Sequence, residues 1–330
     1  MMNSLIEINH LSTYFESGAG TVKAVDDISF RVREGETVCV VGESGCGKSI
    51  TAMSIMGLVD GPHGKVVNGR IQFGDKDLLK ISREEMRRIR GNDISIIFQE
   101  PMSSLNPVIT IGKQIMEPLM LHQRLNRKQA YARALELIEL VGISRGEQIA
   151  ASYPHQLSGG MLQRIMIAIA ISCGPKLLIA DEPTTALDVT IQAQVLETLR
   201  ESKEQSKMSI LLITHDLGVV AEMADYVIVM YAGKIVEEGD VEEIFYHPKH
   251  PYTKGLLKSK PIIGQRSEQL YSIPGQVPNP LELSESCYFH DRCEDCMSIC
   301  RIRQPQLKEV EPGHRTACWL YEEEASREHE

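Results

Sequence analysis

Between Gly42 and Ser49 the chain reads Gly42-Glu43-Ser44-Gly45-Cys46-Gly47-Lys48-Ser49, the spacing G-x-x-x-x-G-K-S. Glycines allow a backbone to wrap closely around phosphate oxygens, and successive N–H groups at the start of a helix favour negative charge. The apolar run Val38 to Val41 leads into this stretch and the helix-compatible segment Ile50 to Leu58 follows it, the context a phosphate-binding loop requires. A chance glycine-rich turn is the bland alternative, and it would lack those flanks. The candidate contacts to a nucleotide's phosphates are Gly42, Ser44, Gly45, Cys46, Gly47, Lys48, Ser49 and Ile50. Lys48 is expected to reach the β- and γ-phosphates and Ser49 to hold Mg²⁺.

A second acidic element lies far downstream, in Leu177-Leu-Ile-Ala-Asp181-Glu182-Pro183. An apolar strand ending in two carboxylates suits a metal's water shell at Asp181 and polarisation of an attacking water at Glu182. Taken alone, such a pair is as well explained as a surface strand cap. The phosphate loop upstream tips the balance toward chemistry.

Positioning these groups requires a scaffold. Short apolar runs rich in branched residues recur at Val38 to Val41, Ile94 to Phe98, Leu177 to Ala180, Ile210 to Ile213 and Tyr226 to Met230, as expected for strands buried on both faces. Helical patterns lie between them, such as the stripe Tyr131, Ala134, Leu135, Ile138 and Val141, stopped by Gly142. Alternating strands and helices predict an α/β sheet, largely parallel. From Pro101 to Tyr153 no convincing strand occurs, which predicts an inserted helical subdomain. After Gly239 proline-containing segments (His247 to Pro251, Pro274 to Pro280) and cysteines mark a change of architecture, with a boundary expected near residue 240. The residues Glu322 to Glu330 are expected to be a solvated tail.

The chain has 330 residues, with 35 Lys and Arg against 45 Asp and Glu, a formal net charge of -10 that argues against wholesale nucleic-acid binding. Its first ten residues carry no basic stretch leading into an apolar one, so no secretory signal is expected there. The most apolar runs fall well short of the roughly 18 residues of a spanning helix, so any membrane association is expected through a partner.

Further motifs complete a pattern. Leu157-Ser158-Gly159-Gly160-Met161 precedes the helical segment Leu162 to Ser172; Gln99 follows the strand Ile94 to Phe98; Thr185-Ala-Leu-Asp188 follows Glu182; and His215 follows Thr214 at a strand end. In this order, the elements resemble those of ABC ATPases over residues from about 5 to 240. Ser158, Gly159 and Gly160 then match the signature, Gln99 the Q-loop, Asp188 the D-loop and His215 the switch histidine. Phe15 matches the aromatic position that stacks on adenine, with Tyr14 as its immediate rival. Met161 departs from the glutamine many members carry, at a commonly variable position.

The resemblance implies a P-loop ABC ATPase with a RecA-like core sheet, an N-terminal antiparallel β portion, a helical subdomain at about 100–165 and a small Cys-rich extension over 241–330. It implies that ATP and Mg²⁺ are used, with Ser49, Gln99 and Asp181 at the metal and Glu182, His215 and Gln99 in catalysis. Two cassettes would meet head to tail, the second being a related, non-identical chain. Two transmembrane permease subunits and an extracytoplasmic solute-binding protein complete the set, and the chain would lie peripherally on the cytoplasmic face of the cell membrane.

The segment His250-Pro251-Tyr252-Thr253-Lys254-Gly255-Leu256-Leu257 and the cysteine-rich end resemble the C-terminal region of oligopeptide/dipeptide importer ATPases, a pattern largely shared by nickel importers. Cys287, Cys293, Cys300 and Cys318 match four cysteines that bind an iron–sulfur cluster in some of these proteins. Four thiolates suit either [4Fe–4S] or Zn²⁺, Cys296 is a further thiol, and reduced structural cysteines are the alternative. Rival functions are import of nickel or another small solute, a non-transport role in DNA repair or translation, and a regulatory subunit that binds nucleotide without turnover. The filled positions Gln99, Glu182 and His215 speak against the last.

Overall fold

The computed structural model describes residues 3–59, 61, 64–185, 187–259 and 271–322. Residue 186 of the expected D-loop and residues 323–330 of the expected tail lie outside the described residues. The chain forms two compact units whose segments interleave along the sequence.

The first unit comprises residues 1–6, 32–37 and 73–213. Its strands Ile94–Ile97, Leu177–Asp181 and Ser209–Ile213 run parallel, with Ile179 opposite Ile96 on one side and Leu211 on the other. Every residue of the last two strands is buried. Strands buried on both faces need no polar alternation, and for this reason they stood out as continuous apolar runs.

The expected helical subdomain is present. Helices Pro101–Ser104, Ile111–His122, Arg127–Leu140 and Gly146–Ala151 succeed one another without a strand. Asn126 starts the third with a capping box: its side chain accepts from the N–H groups of Lys128 and Gln129 while Gln129 bonds back to the Asn126 N–H. Its buried face is Ala130, Ala134, Leu137 and Ile138. Of the expected stripe, Ala134, Ile138 and Val141 are buried, Leu135 is half-buried and Tyr131 is 40% exposed, with Ala130 and Leu137 completing the buried face in its place. Gly142 ends the helix at φ 70°, a left-handed conformation that costs glycine little.

The second unit comprises residues 7–31, 38–72 and 214–330. Strands Ser4–Ser17, Gly20–Arg33 and Gly64–Phe73 are three of the four strands of the N-terminal antiparallel sheet, with Ser4–Ser17 between the other two. Strand Thr37–Val41 pairs parallel with Tyr226–Tyr231, which pairs antiparallel with Lys234–Asp240. The C-terminal region continues that sheet: His314–Thr316 pairs antiparallel with Lys234–Asp240, and Lys308–Glu311 with His314–Thr316. Glu322, expected in a solvated tail, is buried and bonded to Lys308. No described helix is long and apolar enough to cross a membrane.

Candidate nucleotide site

The phosphate loop lies in the second unit. Val38–Val41 are fully buried, and at Val41 the chain leaves the sheet through Gly42 (φ 152°), Gly45 (φ 80°) and Gly47 (φ 103°) before helix Lys48–Ile55 begins. Two of these glycines are required sterically. A Cβ on Gly42 would lie 2.2 Å from the Met230 carbonyl oxygen and one on Gly47 2.3 Å from that of Ala24, so the loop threads between two backbone segments. Gly45 faces open space, as does the exposed Ser44, leaving the outer side of the loop accessible. Ser49 and Ile50 are half-buried in the first helical turn.

Lys48 is buried, and its amine donates to the carbonyl oxygens of Gly42 at 2.8 Å and Glu43 at 3.0 Å. A cation held over its own loop by two carbonyls is poised for exchange onto stronger anionic acceptors. Burial pushes the Cys46 thiol up despite nearby Lys48, so Cys46 contributes its backbone to the loop and no reactive thiolate.

Of the two aromatic candidates upstream, Tyr14 is engaged: its hydroxyl donates to Asp26 at 2.8 Å, and burial together with that carboxylate pushes its pKa up to about 12. Phe15 is half-buried with its ring against Gly64, where an added Cβ would come within 2.6 Å of the ring. His215 is exposed, just before helix Leu217–Met223, which Asp216 caps by accepting from the Gly218 N–H.

The other expected groups lie in the first unit, and several meet. Asp181 ends its strand buried, and Glu182 follows with φ 50°. A left-handed glutamate is uncommon and strained, and it is held by its N–H donating to the Ile213 carbonyl at 2.8 Å. Glu182 Oε2 accepts from Gln99 Nε2 and from Thr185 Oγ1, each at 2.9 Å. The Q-loop glutamine and the carboxylate, 83 positions apart, are therefore direct partners.

Ser158 is the N-cap of helix Gly159–Ile171, its hydroxyl accepting from the Met161 N–H at 3.4 Å. Ser158 and Gly159 are exposed, and a Cβ on Gly159 would meet no atom, so the start of this helix is open to solvent. Asp188 caps helix Val189–Ser206 through the Ile191 N–H. Gln163 escaped the sequence reading: it is buried, and its amide donates to the Pro183 carbonyl at 2.7 Å, tying the Ser158 helix to the Glu182 loop. The available signal was the polar pair Gln163-Arg164 within the otherwise apolar run Leu162 to Ile171.

In the C-terminal region all cysteines are reduced. Cys287 N–H donates to the Cys300 carbonyl at 2.8 Å, and Cys287, Cys296 and Met297 pack around Ile299, Cys300 and Trp319. Burial pushes the thiols of Cys287 and Cys318 up to about 12 and that of Cys293 to about 11, and mutual repulsion among neighbouring sulfurs adds to it. Thiols are the donor type a thiolate-bound metal group uses, but among the described residues no three of these cysteines bring their sulfurs within 4.8 Å of one another.

Two family models match this chain: ABC transporter over residues 25–185, and oligopeptide/dipeptide transporter, C-terminal region, over residues 236–300. The oligopeptide transport ATP-binding protein AppD of Bacillus subtilis (strain 168) is 54% identical over 327 residues, 99% of this chain and 100% of AppD. The dipeptide transport ATP-binding protein DppD of Escherichia coli (strain K12) is 47% identical over 324 residues, 98% of this chain and 99% of DppD. Among solved structures, the post-hydrolysis dimer of the ATP-binding cassette MJ0796 bound to ADP and Pi superposes with TM-score 0.65 at 26% identity, covering 72% of this chain and 98% of that one. CbiO1 from Clostridium perfringens, part of the ABC transporter complex cbiONQ, gives TM-score 0.61 at 26% identity, covering 74% and 92%. With its phosphate loop, signature helix start and carboxylate loop in family order, the chain belongs to the ABC transporter ATP-binding proteins, in the group that carries the oligopeptide/dipeptide transporter C-terminal region.

Proposed function

We propose that this chain is the ATP-hydrolysing subunit of an importer that drives uptake of di- and oligopeptides. The observation that carries the hydrolytic part is the bonding of Glu182, whose Oε2 is oriented by both Gln99 and Thr185. In this reading the Phe15 ring stacks on adenine and the N–H groups from Ser44 to Ile50 wrap the phosphates. Lys48 exchanges its loop carbonyls for β- and γ-phosphate oxygens. Ser49, Gln99 and Asp181 would hold Mg²⁺, which when bound would neutralise charge on the phosphates. Glu182 accepts the proton of the water that attacks the γ-phosphorus as the bond to the bridging oxygen breaks, and His215 contacts the γ-phosphate.

Ser158, Gly159, Gly160 and Asp188 act on the nucleotide of the second cassette. The exposed helix start at Ser158 and Gly159 supports that role for the signature residues, because the first turn of a helix favours an anion brought by a partner. We infer a cassette over residues 5–240 and an extension over 241–330. We further infer a related second ATPase chain, two permease subunits and an extracytoplasmic binding protein, with this chain on the cytoplasmic face of the membrane. Cys287, Cys293, Cys300 and Cys318 hold a structural [4Fe–4S] cluster or Zn²⁺, away from hydrolysis. Anaerobic purification followed by metal analysis tests this, and a sample with neither iron nor zinc would remove it.

The peptide assignment is tested in vesicles containing the permease pair, both ATPases and the binding protein. Stimulation of hydrolysis by peptide-loaded binding protein is the expected result. Stimulation by a nickel complex instead would reassign the cargo, and co-purification with ribosomes or repair proteins would reject transport.

A further inference from the structure

Glu43, the second residue of the phosphate loop, is held at every polar group. Its carbonyl accepts from the Lys48 amine at 3.0 Å, and its N–H donates to the Tyr252 hydroxyl at 2.8 Å. Its carboxylate takes two parallel bonds from Arg292, Nη1 to Oε2 at 2.6 Å and Nη2 to Oε1 at 3.0 Å. Tyr252 and Arg292 are 209 and 249 positions away, both in the C-terminal region and in the same compact unit as the loop.

The holder is itself built and buried. The Arg292 side chain is 4% exposed; its Nε donates to the Pro274 carbonyl at 2.8 Å and Nη1 also reaches the Tyr231 hydroxyl at 3.3 Å. Its guanidinium lies 5.8 Å from the centre of the Tyr231 ring and 5.9 Å from that of Phe289. Tyr252 is fully buried in the first turn of helix Pro251–Lys258, between Tyr231 at 4.7 Å and Phe289 at 5.4 Å. An arginine with a planar fork, locked by carbonyls and aromatic faces, loses little freedom when it binds a carboxylate bidentately.

We propose that Arg292 and Tyr252 are positioning residues of the phosphate loop, so that the C-terminal region forms part of the nucleotide-binding apparatus of its own chain. Two physical effects would follow. The Tyr252 hydroxyl and the Arg292 fork fix the backbone at Glu43, and with it the carbonyl that seats Lys48. Arg292 also neutralises a carboxylate lying in a loop that must accept polyphosphate; unpaired, Glu43 would repel the γ-phosphate end of the ligand. This inference rests on the reading of residues 42–49 as the nucleotide site.

The test is a set of affinities for a fluorescent ATP analogue with Mg²⁺, with melting temperatures and steady-state hydrolysis on the reconstituted transporter. Arg292→Ala is expected to raise Kd about tenfold and KM with it, with a smaller change in kcat. Glu43→Gln should raise Kd less than Arg292→Ala, and the double variant should bind better than Arg292→Ala alone, because the unpaired charge is gone. Arg292→Lys should recover part of the affinity, and Tyr252→Phe should raise Kd modestly. A purely structural role predicts the reverse pattern, with melting temperatures falling and affinities unchanged among variants that fold. Should Arg292→Ala not fold, Arg292→Lys against Glu43→Gln/Arg292→Lys carries the same comparison. Parental affinity in Arg292→Lys and Tyr252→Phe, while Lys48→Ala loses binding, would overturn the positioning role and leave the nucleotide site standing. Parental affinity in Lys48→Ala would overturn the nucleotide reading itself.

Discussion

The two loops that carry the chemistry use left-handed backbone in opposite ways. The phosphate loop adopts it at Gly42, Gly45 and Gly47, where there is no side chain and the backbone N–H groups are the functional atoms. The carboxylate loop adopts it at Glu182, a residue that pays a steric cost for that conformation and is retained in it by a backbone bond to Ile213 and side-chain bonds from Gln99 and Thr185. Where backbone must meet an anion, glycine serves; where a carboxylate must be aimed, strain is tolerated and surrounding bonds hold it.

The largest expected effect breaks the second loop. Glu182→Gln preserves shape while removing the proton acceptor, so hydrolysis in the full complex should fall by about 10²- to 10⁴-fold with ATP retained in a closed pair of cassettes. Hydrolysis at the parental rate would end the general-base assignment. Within the first loop, Gly47→Ala should abolish nucleotide binding, since its Cβ would come within 2.3 Å of a backbone oxygen; calorimetric titration with ATP reads this directly.

A third effect belongs to the C-terminal support. His250 is buried, and burial holds its pKa down at about 4, while its Nδ1 accepts from the Tyr252 N–H at 3.0 Å. Because the unfolded imidazole titrates near 6.5, the unfolded state binds more protons between these values, so stability is present above 6.5 and is lost as pH falls toward 4. The group accounts for about 3 kcal/mol over that window. Thermal melting from pH 7 to 4 should fall more steeply in the parent than in His250→Asn, and equal slopes would contradict the assignment. The smallest effect sharpens the glycine comparison: Gly45→Ala meets no atom and bears only the left-handed penalty, about 1 kcal/mol, so it should bind ATP far better than Gly47→Ala.

All five strand candidates were legible as apolar runs, and the loop glycines as a spacing, because each depends on neighbours within a few positions. The helix stripe was misjudged at Tyr131 because apolar character alone does not say which side of a helix meets the core; Ala130 is chosen by close packing. Gln163 gave a faint signal, and its bond to Pro183 gave none.

The C-terminal region shows the limit most clearly. Its prolines, cysteines and His250-Pro251-Tyr252 segment mark it as distinct, but no local pattern joins Arg292 to a loop 249 positions earlier. Residue types and short spacing were sufficient to specify the chemistry of phosphate binding and water activation, since backbone freedom and charge are properties of the residues themselves. Which side chains orient Glu182, which arginine neutralises Glu43 and which hydroxyl fixes its N–H were decided only by tertiary structure, because those partners become neighbours through burial of the surfaces between them.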